Sequence, residues 1–213
     1  MKRTFLAAIM VFIILGLAGC GGGGDSAPPT IVTDILSDPA FDGDIERDPL
    51  TGAFTITQVN TQSVFAGIDP VTGAEFRAFL DFPLTGVVPG NAVIVSAFLD
   101  IFIDDIQPLA GTIPIRIDLV SFQPPTLVVS DFDLNSQRAL ATITTQIFQS
   151  DFRQHVLVDV TSLMVEAQRL GLADFQVRIL EDLGIVSPGL IEINDTTGPN
   201  RGVLAPLLQV TFF

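Results

Sequence analysis

Five carboxylates fall within eleven residues near the start of the chain, the densest group of side chains that could bind a metal ion. They are Asp38, Asp42, Asp44, Glu46 and Asp48. Carboxylate oxygens suit a hard cation such as Ca²⁺. The spacing differs from that of an EF-hand loop, which has Gly at its sixth position and a closing Glu. The pattern predicts a calcium site on this segment, and a solvated acidic segment is the alternative.

The single histidine, His155, is the only imidazole that could act as a general base. Ser150 and Asp151 lie nearby in sequence and would be its candidate partners in a catalytic triad. On a strand, however, His155 and Asp159 share a face about 13 Å apart, too far for a hydrogen bond. The chain also lacks a G-x-S-x-G nucleophile elbow. We therefore interpret His155 as a structural or surface residue and expect no catalytic residue.

Acidic side chains are numerous, at 24, so two of them could converge across a cleft and hydrolyse a glycosidic bond. The sequence does not indicate which two would do so. Zinc chemistry is disfavoured, because the chain has one histidine and one cysteine. A carboxylate-dependent hydrolase remains an alternative to a non-enzymatic protein.

The only cysteine, Cys20, follows a segment typical of export signals. Lys2 and Arg3 precede an apolar run over residues 5–17. As a helix this run rises about 20 Å, short of the ~30 Å hydrocarbon core, so we interpret it as a signal peptide. An uncut N-terminal anchor is the alternative. An odd cysteine in an exported chain needs an explanation.

The residues Leu17-Ala18-Gly19-Cys20 resemble a bacterial lipobox, in which the cysteine is acylated, in part with palmitate, and becomes the new N-terminus. The resemblance implies a lipoprotein anchored in a membrane through Cys20. Gly21, rather than Asp, follows the cysteine, which favours the outer membrane or the cell surface. We expect a signal peptide over residues 1–19, a lipidated cysteine and Gly/Pro-rich tether over 20–30, and a single domain over 31–213.

The charge balance excludes one class of partner. Without Lys2 and Arg3 the chain has eight basic side chains against 24 acidic ones, a net charge of −16. Such a field repels nucleic acid, so we expect no nucleic-acid partner. Tyr and Trp are absent, whereas Phe occurs 17 times. Because sugar-binding faces commonly use Tyr or Trp, this bias weighs against a lectin-type site.

From residue 76 onward, apolar side chains alternate with polar ones, which is the pattern of strands with one face on a core. The stretches that alternate are 76–84, 93–103, 113–120, 155–160, 175–180 and 191–193, with a last strand over 207–213. One helix is predicted from Thr161, as its cap, to Gly171, with Leu163, Ala167 and Leu170 on its buried face. The fold class is therefore all-β, an antiparallel β-sandwich of jelly-roll type with one short helix.

Two near-identical six-residue segments predict chain reversals. Asp48-Pro-Leu-Thr-Gly-Ala53 is repeated as Asp69-Pro-Val-Thr-Gly-Ala74. Proline presets φ for a type I turn, and glycine supplies the left-handed residue that follows. Each segment is predicted to join two strands. We predict only an irregular acidic stretch with one short strand over residues 31–53.

A few side chains do not fit a simple two-faced sheet. Arg77 and Arg178 occur among apolar strand positions, so we expect ion pairs on a sandwich face, with an acidic ligand as the alternative. Phe79, Phe98 and Phe102 lie opposite the predicted core positions. They are expected to be covered by another layer or to form an exposed docking patch.

Five segments in order resemble DNRLRE-type domains. Arg77–Leu84 is similar to R-x-x-L-x-F-x-L, and Val88–Leu99 is similar to P-x-G-A followed by V-x-S-A-x-L. Val158–Leu163 is similar to F-D-V-T-x-L, Phe175–Leu180 to the strand that follows it, and Pro206–Phe212 to P-x-L-x-V-x-Y. The resemblance implies a fold similar to jelly-roll carbohydrate-binding modules, on secreted or cell-surface proteins. Some relatives bind polysaccharides.

The sequence thus predicts a lipid-anchored, non-enzymatic structural or adhesion-type module of the cell envelope. Its expected partners are the membrane and either another envelope protein or a polysaccharide. The alternatives are a carbohydrate-binding module, with calcium as the one cofactor considered, and the hydrolase described above.

Overall fold

The computed structural model describes residues 29–108, 111–122, 125–182 and 187–213, which fold into twelve strands, three short α-helices and one 3₁₀ helix. The first six strands are β1 Ile31–Leu36, β2 Gly43–Arg47, β3 Phe54–Gln58, β4 Ser63–Ile68, β5 Glu75–Pro83 and β6 Ile94–Gln107. The others are β7 Thr112–Val120, β8 Ala141–Phe148, β9 His155–Asp159, β10 Asp174–Glu181, β11 Leu190–Asn194 and β12 Leu207–Phe212. The α-helices are α1 Val129–Phe132, α2 Thr161–Arg169 and α3 Arg201–Leu204, and the 3₁₀ helix is Gln149–Asp151.

All strand pairs are antiparallel, in the order β1-β12-β6-β11-β4-β5-β10-β7-β8. The hairpin of β2 and β3 joins through β5, and β9 joins through β6. The long strand β6 belongs to both layers, because residues 94–102 pair with β12 and β9 whereas residues 103–107 pair with β11. The sheet therefore curls into the predicted β-sandwich of jelly-roll type.

The alternating positions form one core between the two layers. Leu80, Leu99 and Ile117 have no exposed surface, and neither do Val177 and Ile193. The alternation in β5, β7, β10 and β11 is thus confirmed. Helix α2 closes one end of this core with three buried residues.

Two register shifts in β6 explain where the alternation fails. The ladder with β12 slips between Thr211 and Phe212, and Val95 and its neighbour Val93 are about half exposed, although both were predicted to be in the core. A second slip, in the pairing with β11 between Glu192 and Ile193, again changes which alternate residues of β6 face the core. Ile106 rather than Asp105 is therefore buried. Bulges of this kind leave one residue unpaired and turn the strand.

Helix α2 begins at the predicted Thr161, and Gly171 follows it with a φ of +67°. The Thr161 hydroxyl accepts a hydrogen bond from the Ala97 N–H instead of capping the helix. Met164 is buried beside Leu163 and Ala167, whereas the predicted Leu170 is 40% exposed. The prediction for Leu170 was wrong because the helix ends one residue earlier and Leu170 follows its last turn.

A second apolar cluster lies on the outer side of the sheet, under residues 121–122 and 125–140. It consists of Ile45, Phe79, Val120, Phe122, Leu127 and Phe132. Phe79 is therefore covered by another layer, which is one of the two arrangements expected for the three phenylalanines. Phe98 and Phe102 on β6 are partly exposed. The three phenylalanines do not form one patch.

Residues 31–53 are more ordered than predicted. They contain β1 and β2, both of which pair fully, and β3 begins at Phe54. The strand β8 was also missed, because its exposed side mixes Thr142, Thr144 and Gln146 with Phe148, and Ile147 is the only fully buried residue on its other side.

The strand directions define two poles. At the terminal pole, Ile31 pairs with Phe212, and Val93 exchanges backbone hydrogen bonds with Phe213. From there β6 runs to Gln107, and β5 runs in the opposite direction, from Glu75 to Pro83 near the terminal pole. The turns after β2 and β4 therefore lie at the other pole, which we call the turn pole.

Candidate functional site

The two repeated segments form matched turns at the turn pole. In the first, the Asp48 N–H donates to the Ala53 carbonyl at 2.9 Å, and the Asp48 carboxylate accepts from the N–H groups of Leu50 and Thr51 at 2.7 and 3.0 Å. In the second, Asp69 makes the same contacts with Ala74, Val71 and Thr72, with the carboxylate distances at 2.7 and 3.2 Å. The prediction that each segment reverses the chain is confirmed.

Local chemistry fixes both turns. Gly52 and Gly73 have φ values of +69° and +75°, which favour glycine. Thr51 and Thr72 each accept a further N–H at 3.2 Å. The hydrogen bonds from backbone N–H groups lower the pKa of Asp48 and Asp69, so both carboxylates stay charged. Each turn is thus a rigid loop that begins with a charged carboxylate.

Each turn presents one apolar side chain to solvent. Leu50 is 93% exposed and Val71 is 87% exposed, whereas the next most exposed large apolar side chain in the described part of the chain, Val203, is 66% exposed. The two side chains occupy equivalent positions in the repeat. The turns are also neighbours, because a Cβ placed on Gly73 would lie 3.6 Å from Pro49 Cγ.

This arrangement can bind but has no evident means to catalyse. Two aliphatic side chains held outward by rigid turns offer a small apolar contact surface, and the adjacent charged carboxylates oppose anionic partners. Leu50 and Val71 form a pair because β2 and β4 both pair with β5, which places the two turns side by side. Sequence inspection identified the repeat but not this adjacency.

The five carboxylates predicted to bind calcium lie in different surroundings. The Asp38 carboxylate accepts the Ala40 N–H, the Asp44 carboxylate accepts the Phe65 N–H at 3.3 Å, and Asp48 belongs to the first turn. Asp42 is fully buried, and Glu46 is half-buried on β2. Within the residues that the structure describes, no group of three or more Asp, Glu, His or Cys side chains is arranged to hold a metal ion.

His155 contacts Asp100 rather than a catalytic partner. Its Nδ1 lies 2.9 Å from Asp100 Oδ1, and its ring packs edge-on against Phe102 with centroids 5.1 Å apart. Ser150 lies in the 3₁₀ helix, where its hydroxyl is 3.5 Å from Asp151 Oδ1. The geometry is that of a partly exposed side-chain hydrogen bond between the neighbouring strands β9 and β6.

Both predicted strand arginines make structural ion pairs. Arg178 is fully buried and donates to Asp118 Oδ2 at 2.8 Å and to the carbonyls of Asp131 and Gln137. Arg77 pairs with Glu75 at 2.5 Å, donates to the Phe132 carbonyl and stacks on the Phe132 ring. These contacts hold residues 131–137 against the sheet, and both arginines are buried, so neither guanidinium is exposed to an acidic ligand.

Two surface grooves lie elsewhere on the described part of the chain. One, of about 470 Å³, lies at the terminal pole between residues 84–90 and helix α2. The amide of Gln168 on its wall already donates to the carbonyls of Pro89 and Ala92. The other, of about 600 Å³, lies between the edge strands β8 and β9. Neither groove brings together charged groups that would suggest catalysis.

The membrane predictions concern a part of the chain that the structure does not cover. Cys20, the signal peptide and most of the tether lie outside the described residues. Within the described ranges, no helix is long and apolar enough to cross a membrane.

Comparison with known proteins gives no family. No family model matches the chain, and no curated protein matches its sequence. One solved structure that it matches is that of the Gx strain of infectious bursal disease virus, at 13% identity, with a TM-score of 0.17. That match covers 91% of this chain but only 39% of the viral chain. A likeness this weak carries no argument about function.

Proposed function

We propose that this protein is a lipid-anchored, non-enzymatic module of the cell envelope that docks onto another envelope protein through the turn pole. The observation that carries the proposal is the pair of matched turns, which holds Leu50 and Val71 outward at 93% and 87% exposure. Two aliphatic side chains at equivalent positions of a repeated, rigid turn gain free energy when a partner removes their apolar surface from water.

The position of the turns supports this role. The described chain begins at Pro29, and β1 begins at Ile31 at the terminal pole. An anchor at Cys20 would therefore hold the terminal pole toward the membrane and present the turn pole away from it. The residues between Cys20 and Pro29 are mostly glycine and proline, a composition suited to a spacer.

The chemistry of the turns favours a protein over a sugar as the partner. Aliphatic tips bury against apolar surface, whereas sugar-binding faces use aromatic rings with polar edges. The net charge of −14 on the chain repels acidic partners, so it also favours a neutral or basic partner.

The test compares binding of purified proteins that all carry Cys20→Ser, and so have no thiol to acylate, to isolated envelopes of the producing cell. We expect the double variant Leu50→Ser/Val71→Ser to lose at least about tenfold in affinity, since removal of two apolar anchors costs about 1–3 kcal/mol. The control Leu157→Ser changes an apolar residue on β9 that is 64% exposed and lies outside the turns, and it should bind as the wild type does. Equal binding by the double variant and the wild type would refute the docking role of the turns.

Digestion of the envelopes separates the proposal from its main competitor. Prior treatment with protease should abolish binding if the partner is a protein. Loss of binding only after treatment with polysaccharide-degrading enzymes would instead support the carbohydrate-binding module, and addition of chelator would show whether calcium assists it. Release of reducing sugar during the incubation would favour the hydrolase.

A further inference from the structure

Two carboxyl groups meet inside the domain, away from the turn pole residues used above. Asp42 lies in the loop between β1 and β2, and Asp195 directly follows β11; both are fully buried. Asp42 Oδ1 accepts the Asp81 N–H at 2.8 Å, and Asp195 Oδ2 accepts the Thr61 hydroxyl at 2.7 Å. Burial raises the pKa of both, and the facing Asp195 carboxylate raises the pKa of Asp42 further.

Oxygen atoms without partners occur at this place. In the described structure, Asp42 Oδ2 and the Ser37 hydroxyl are buried and have no hydrogen-bond partner. Ser37 lies close enough to Asp42 for its hydroxyl to counteract part of the rise in the pKa of Asp42. Buried polar atoms are nearly always satisfied by protein, water or an ion, so two neighbouring unsatisfied oxygens mark a place that a bound cation would fill.

The nearest cationic side chain does not satisfy this need. Arg201 Nη1 lies 3.5 Å from Asp195 Oδ1, and the same guanidinium donates to the carbonyls of Thr196 and Ser37. It approaches Asp195 only, and Asp42 Oδ2 is left without a counter-charge. An uncompensated carboxylate in the protein interior is strongly unfavourable, so Asp42 is either protonated or bound to a cation.

We propose that Asp42, Asp195 and Ser37 form an internal calcium-binding site that joins the β1–β2 loop to the segment after β11. All its donors are oxygens, which suits a hard cation, and the mixture of carboxylates and a hydroxyl suits the flexible coordination of Ca²⁺ better than the strict octahedron of Mg²⁺. Of the five residues predicted from the sequence, this site uses only Asp42. It does not depend on the proposed docking function.

Calcium would act as a cross-link between distant parts of the chain. Residues 37–42 and 195 are separated by more than 150 positions, and the donors come together only in the folded domain. A ligand that binds only the folded state stabilises it by mass action.

The experiment uses the purified full chain after treatment with chelator and gel filtration into metal-free buffer. We expect 1 mM CaCl₂ to raise the Tm by about 5 °C, and 1 mM MgCl₂ to raise it by much less. Elemental analysis after calcium loading should find about one calcium per chain, on the basis of one donor set. The variant Asp42→Asn should lose both effects, whereas Asp44→Asn, at a buried aspartate two residues away, should keep them.

A milder variant guards against misfolding of Asp42→Asn. Ser37→Ala removes only the hydroxyl, so it should fold and bind calcium about tenfold more weakly. Wild-type protein that neither binds calcium nor gains stability from it would overturn the proposal, as would Asp42→Asn protein that still binds. A Tm that responds to pH but not to calcium would overturn it too, since the two carboxyls would then share a proton.

Discussion

The Asp44 carboxyl lies inside the protein, where β2 approaches β4, and accepts one hydrogen bond, from the Phe65 N–H. Burial raises its pKa to about 7, and the neighbouring Glu46 carboxylate contributes to the rise. The folded protein therefore holds a proton on Asp44 between about pH 4 and pH 7, where the unfolded chain has lost it. Folding takes up a proton in this window.

The stability of the wild type should consequently fall as pH rises from 4 to 7, by at most about 1.4 kcal/mol per pH unit from this group. Asp44→Asn keeps a neutral side chain at every pH and should remove that part of the slope, so the variant is more stable than the wild type at pH 8. Urea unfolding of both proteins between pH 4.5 and pH 8 measures the difference. Parallel stability curves would show that Asp44 ionises normally in the fold.

At the scale of the element, β6 can be tested at two positions that the alternating sequence pattern assigns to the same face of the strand. Leu99 is fully buried between Leu208 and Val158 on the neighbouring strands, whereas Val95 is 49% exposed at the register shift. We expect Leu99→Asp to abolish cooperative unfolding, because an unpaired charge in the core costs several kcal/mol. Val95→Asp should change stability by about 1 kcal/mol or less. Circular dichroism melting of both variants decides the point, and a cooperatively folded Leu99→Asp protein would refute the assigned register.

The strand faces that pack on the main core were predictable from the sequence, whereas burial of the opposite faces was not. Phe175, Val177 and Ile179 alternate clearly, and the structure places all three in the core. The same strand also buries Gln176 and Arg178, because residues 121–122 and 125–140 cover its outer face. In these residues the structure has one four-residue helix, and their apolar side chains show no periodicity, so the sequence did not indicate that they would form the layer expected over Phe79.

The candidate site was partly predictable for the same reason. The turns could be predicted because proline, threonine and glycine determine them locally, but their contact depends on pairing of β2 with β5. The meeting of Asp42 with Asp195 depends on contacts across more than 150 residues. Local patterns predict local structure, and sites assembled from distant segments require the fold.

At the scale of the whole molecule, the membrane anchor stands as a prediction. Cys20→Ser removes the only thiol that could be acylated, so the protein should move from the membrane fraction to the soluble fraction. Detergent phase partitioning of cells that express each form measures this change. A serine replacement at the neighbouring Gly21 is the control, and unchanged membrane recovery of Cys20→Ser would exclude lipidation as the anchor.

The six paired residues of β1 and β12 run along each other from the terminal pole inward. A partner that pulled on the turn pole of a tethered molecule would draw β1 lengthwise past β12. In this shear geometry the backbone hydrogen bonds between the two strands share the force and must break together, instead of opening one at a time. The first strand of the domain would then serve as a mechanical clamp.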